Sequence, residues 1–172
     1  MSSILKVDTI QTTAGAAPNL TDMGFSRANE IIATYHATSS TSSQTNTTTS
    51  FTNINGMSIT MTPKLATSKI LIQGIIAAEI YGSYADKGIR FGIYGGGSGT
   101  TLLYNGEYDL YDSSDTNQRI GKVSLAFVEN ASSTSARTYK IAFCTNNADS
   151  NNIGRVNQYG EPSQMLVYEI GQ

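Results

Sequence analysis

The protein has 172 residues, of which 16 are Gly, 3 Pro and 14% charged, and its formal net charge is −2. A chain of this length suits one domain burying about 70% of its unfolded surface, and its single cysteine, Cys144, excludes an internal disulfide. Eleven basic residues spread thinly leave no patch to neutralise a run of phosphates, so nucleic acid is not an expected partner.

The longest apolar run is too short to cross a bilayer, and the opening MSSILKVDTIQ lacks the apolar core of a signal peptide. Neither membrane insertion nor export by that route is expected. Abundant Gly, Ser, Thr and Asn with few charges suit short strands joined by polar turns, where a helical bundle would need more Glu, Lys, Leu and Ala.

Residues 1–28 read as an extended arm. Ile4, Lys6 and Asp8 alternate with Leu5, Val7 and Thr9, and the following TTAGAAP offers no core pattern. So few apolar residues do not offset the entropy of ordering the segment unless a partner surface helps. The only helix expected is a turn near Leu20 to Asn29. Residues 29–172 read as a single β domain, beginning with a strand at Asn29 to Ala37. Thr38 to Ser50 contains only Ser, Thr, Gln and Asn, a solvated loop or an exposed strand edge. Asn55-Gly56 signals a hairpin leading into Met57, Ile59 and Met61, which alternate with Ser58, Thr60 and Thr62.

Ser68 to Tyr81 is the central strand. At period two it places Ile70, Ile72, Ile76, Ala78 and Ile80 on one face, while Leu71, Ile75 and Ala77 make the other apolar too. A strand patterned this way is covered on both sides. Beyond it come strands at Lys87 to Tyr94 and Thr100 to Tyr104, joined by the glycine turn Gly95 to Gly99. After a polar loop, Asn105 to Asn117, strands follow at Arg119 to Glu129, Thr138 to Thr145 and Gln164 to Ile170. Eight or nine short strands without helical periodicity predict an all-β fold, an antiparallel β-sandwich or jelly roll.

Candidate chemistry is sparse. His36 is the only histidine, so a His-based metal site within one chain is excluded, and no serine sits in a GxSxG elbow. Cys144 lies on a predicted strand with no activating base nearby in sequence, which favours a packed thiol. The Gly95 to Gly99 run lacks the Lys and following helix of a phosphate loop. Glu107, Asp109, Asp112 and Asp115 favour a solvated acidic loop over a cation site or an acid/base pair acting on a glycan. Six of ten tyrosines, Tyr81, Tyr84, Tyr94, Tyr104, Tyr108 and Tyr111, cluster between the central strand and the end of that loop, where they serve subunit packing or ligand contact. The sequons at Asn19, Asn46 and Asn130 follow from Asn, Ser and Thr abundance alone.

Five segments resemble virion structural proteins of marine tailed phages, such as cyanophages and pelagiphages. The opening LKVDTIQTTAG (Leu5 to Gly15) is similar to their amino-terminal segment. Within the body, NGMSITMTP (Asn55 to Pro63), SKILI (Ser68 to Ile72), ASSTSARTYKIAF (Ala131 to Phe143) and the closing VYEI (Val167 to Ile170) resemble their β-rich module. The resemblance implies a non-enzymatic component of the phage particle, made in the host cytoplasm and carried on the tail or capsid surface. It would be a short tail fibre, spike or decoration, a homo-oligomer, commonly a trimer of jelly rolls, with no cofactor. The arm would dock on other virion proteins through Ile4, Leu5, Val7 and Ile10. Ligand or interface contact falls to Tyr104, Tyr108, Asp109, Tyr111 and Asp112, and the alternative function is recognition of host-surface carbohydrate.

Overall fold

The computed structural model describes residues 29–83, 86–107, 109–113, 118–149 and 151–172. Among them run eleven strands: β1 (Ile31–Thr38), β2 (Gln44–Asn46), β3 (Thr52–Met61), β4 (Lys69–Tyr81), β5 (Lys87–Gly95), β6 (Thr101–Asn105), β7 (Leu110–Asp112), β8 (Gln118–Asn130), β9 (Arg137–Thr145), β10 (Ile153–Val156) and β11 (Gln164–Ile170). A short 3-10 turn at Gln158–Gly160 precedes the last.

All pairings are antiparallel, in two sheets. In the front sheet β8 pairs with the whole of β4, from Lys69 opposite Asn130 to Tyr81 opposite Gln118. The other edge of β4 is shared: β11 takes Lys69 to Ile75 and β10 takes Ala78 to Tyr81. β1 then pairs with β11, and β2 with β10. The back sheet runs β3, β9, β5, β6, with β7 also on β5. With the short β2, β7 and β10 set aside, the front sheet holds the first, eighth, third and sixth long strands and the back sheet the second, seventh, fourth and fifth. That order is a jelly roll, a double-sheet sandwich of two Greek keys.

The core lies where the inward faces meet. Ile70, Ile72, Ile76 and Ala78 of β4, with Val123 and Leu125 of β8, pack against Ile89, Phe91 and Ile93 of β5 and Tyr139, Ile141 and Phe143 of β9. β4 is therefore the middle of its sheet, as its pattern requires. Its even-numbered residues fill the core, while on the other face Ile75 remains 49% exposed in a single protomer.

Two expectations are corrected and one alternative is decided. Asn55-Gly56 makes no hairpin; the chain continues as one strand, with a register shift against β9 between Asn53 and Ser58. Gly56 has φ +84, and a Cβ there would lie 2.7 Å from the Thr38 carbonyl oxygen, so glycine supplies a bulge rather than a reversal. The extra residue is why Ile54 and Met57, of opposite parity, are both buried. Of the two readings of the polar tract at 38–50, the strand edge holds at β2, which ends the front sheet; its Asn46 is buried and its amide donates to the Ser50 and Phe143 carbonyls at 2.9 and 3.0 Å. The loop at 105–117 contains β7, and β10 was not expected at all. The expected helical turn at 20–29 lies, apart from Asn29, outside the described residues.

Candidate functional site

The tyrosines and carboxylates of the 104–112 region engage successive positions at the β5 edge. Asp109 Oδ2 accepts the Phe91 backbone N–H at 2.7 Å, and its Oδ1 accepts the Tyr104 hydroxyl at 3.1 Å. Burial first, then the Asp109 charge, pushes the Tyr104 phenol above its ordinary range. A Cβ on Gly106 would fall 1.8 Å from Asp109 Oδ2, so only glycine lets the carboxylate reach β5. Asp112 forms an ion pair with Lys87 at 3.3 Å, both side chains being buried. Tyr111 donates its hydroxyl to Asp86, just ahead of β5, and its carbonyl accepts from Arg119 at 2.7 Å. These groups clasp a loop to the back sheet, which a buried charge requires. Tyr84, Tyr108 and Asp115 lie outside the described residues, as do Ile4, Leu5, Val7 and Ile10 of the arm. Among the described residues no three His, Cys, Asp or Glu side chains gather closely enough to hold a metal ion.

The other candidates are placed as follows. His36 is exposed on β1 with its Nε2 3.3 Å from the Thr38 hydroxyl. Cys144 is buried, and that burial raises its thiol despite Arg90 at 3.4 Å pulling the other way, so it is not poised as a thiolate. Gly95 to Gly99 turns β5 into β6, with Gly99 N–H donating to the Gly96 carbonyl at 3.2 Å. Asn46, one of the sequons, is buried and hydrogen-bonded, whereas Asn130 is exposed.

The outward face of the front sheet carries a feature that the sequence reading caught only on β4. Strand register sets side chains in rows across β8, β4, β11 and β1: Val128, Leu71, Tyr168 and Thr34; then Ala126, Gln73, Leu166 and His36; then Ser124, Ile75, Gln164 and Thr38. None is Asp, Glu, Lys or Arg. A groove of about 160 Å3 runs along it beside Ile75, Ser124, Gln164 and Leu166. Val128 is 51% exposed, and Ile31 and Ile120 on the same sheet are 55% and 59% exposed. The missed signal was parity: Val123, Leu125 and Phe127 face inward on β8, so Ile120, Ala126 and Val128 must face out.

These observations define an all-β jelly-roll module whose buried charges close loops and whose front sheet presents an uncharged, partly apolar face. No protein-family model and no curated protein matches the sequence. Solved structures similar to it include the infectious bursal disease virus VP2 subviral particle, at 13% identity and TM-score 0.39 over 83% of this chain and 39% of that one. The T13 particle of the same virus is similar at 12% identity and TM-score 0.45, over 97% and 40%. Dimeric latent PorU from Porphyromonas gingivalis is similar at 9% identity and TM-score 0.36, over 95% and 14%. The protein thus spans well under half the length of each.

Proposed function

We propose that the protein is a non-enzymatic structural component of a tailed-phage particle, a short fibre, spike or surface decoration that assembles as a trimer. Residues 1–28 attach it to other virion proteins, and residues 29–172 form the displayed domain. One observation carries the reading: three adjacent rows of the front sheet hold no Asp, Glu, Lys or Arg and expose Ile75 and Val128. A sheet face meant for water alternates with polar and charged side chains, and contiguous apolar surface of this kind marks a contact between proteins. A cyclic trimer covers the same face on every copy at once. The phage assignment rests on the resemblance of 5–15, 55–63, 68–72, 131–143 and 167–170 to virion proteins.

Light scattering on the eluting protein tests the assembly. Wild type is expected at three times the 18.4 kDa protomer mass, and Ile75→Lys at the protomer mass with the β spectrum kept. A wild-type protomer that stays single at all concentrations overturns the reading. Mass spectrometry of purified particles tests the location, and absence of the protein from them contradicts it.

A further inference from the structure

His36, the only histidine, stands in the uncharged face that carries the assembly reading. It is exposed in the middle of β1, and register sets it in one row with Leu166, Gln73 and Ala126. Its outward direction is fixed from the other side, because its neighbours Tyr35 and Ala37 pack against the core.

Histidine is the side chain whose ordinary titration, at about pH 6.5, falls in the physiological range. The effect of its proton depends on the charges around it. Thr34 and Thr38 flank it on β1, and Gln164, Leu166 and Tyr168 face it from β11. The one titratable group among these is a phenol, uncharged in neutral and acidic solution. On β4 and β8 the uncharged rows end at Lys69, beyond Leu71, and at Lys122, beyond Ser124. Lys64 reaches the β1 edge, its Nζ donating to the Ile32 carbonyl at 3.2 Å. The carboxylates are engaged or turned away. Glu169 is buried against the 64–68 segment, Glu161 pairs with Lys122 at 3.4 Å, and Glu30 precedes β1. An imidazolium at position 36 therefore meets lysines along the borders of the face and no acid within its three rows. A neutral ring is already provided for, with Nε2 3.3 Å from the Thr38 hydroxyl.

In a single protomer, water solvates either form of the exposed ring. Under a second copy that water is gone, and a charge without a counter-ion is costly to bury. We propose that His36 gates assembly through this face: copies join with the neutral imidazole covered between them and separate when it takes up a proton. The inference rests on the trimer reading and adds the condition under which that contact opens. Below the histidine range each copy must release a proton to join. Three copies make the association constant of the trimer fall by up to about 1,000-fold for each pH unit.

Light scattering on the full chain over a concentration series, at about pH 7.5 and about pH 5.5 on either side of the histidine range, tests the gate. Wild type is expected as a trimer at the higher pH and as protomers at the lower, reversibly and with its β spectrum kept. His36→Gln, which keeps a neutral hydrogen-bonding group, should stay trimeric at both. His36→Lys, charged at both, should be a protomer at both. A wild-type trimer that persists at the lower pH overturns the gate and leaves the trimer reading standing. So does His36→Gln dissociating as wild type does, or His36→Lys remaining a trimer. Loss of the wild-type β spectrum at the lower pH also overturns it, since acid then acts on the fold. A wild-type protomer at the higher pH overturns both readings.

Discussion

Single side chains in this protein mostly tie loops to strands. Glu169 on β11 accepts the Lys64 and Leu65 N–H groups at 2.7 and 3.1 Å and the Ser68 hydroxyl at 2.9 Å, closing the β3–β4 connection. Asp109 does the same for the loop after β6. Removing such an acceptor strands its buried donors, at about 1–3 kcal/mol. Asp109→Ala is therefore expected to cost about that much in urea denaturation, and Gly106→Ala a similar amount, since its methyl displaces the same carboxylate. The two losses should not add in the double variant, because one contact is removed twice; full additivity would separate the residues. Tyr139 is buried and donates its hydroxyl to Glu129, beside Arg137. Burial and then that hydrogen bond hold its phenol well above the ordinary range, with Arg137 opposing. The unfolded chain releases this proton at about pH 10, so above that pH the native state binds more protons. The stabilisation is whole below pH 10 and falls as pH rises beyond it. Tyr139→Phe should flatten that alkaline fall in melting temperature while costing about 1 kcal/mol at pH 7; an unchanged alkaline slope would contradict the assignment.

Along an element, the two faces of β4 are expected to separate folding from assembly. Ile76 faces the core and is 0% exposed, while its neighbour Ile75 faces outward at 49%. Ile76→Ala is expected to cost about 2–5 kcal/mol in protomer stability. Ile75→Ala should leave that stability nearly unchanged and lower the oligomer mass at micromolar concentrations. If both variants act only on the unfolding midpoint, the outward face takes no part in assembly. The long strands were legible because alternation of apolar side chains is a local signal. β2 and β7 were not. Each is three residues long, and β2 is fixed by the hydrogen bonds of Asn46 to segments distant in sequence, which no hydrophobic pattern reports. Asn55-Gly56 misled because one dipeptide serves both a two-residue turn and a bulge, and the partner strand decides between them.

For the whole molecule, the arm and the domain are expected to be separable. Deleting residues 1–28 should leave an oligomer that melts within a few degrees of the full protein and no longer joins particles. Loss of folding would show that the arm belongs to the core, and normal incorporation would remove it from attachment. The sequence alone determined the all-β class, the central place of Ser68 to Tyr81 and the inward residues of the long strands, because period-two patterning is written residue by residue. Only the tertiary structure decided that eight strands close as a jelly roll and that Asp109 and Asp112 clasp β5. It also decided that Gln118 bridges Glu79 of β4 and Tyr159 of the turn before β11. Those outcomes depend on strand order and register, which join residues tens of positions apart and leave no local trace in the chain.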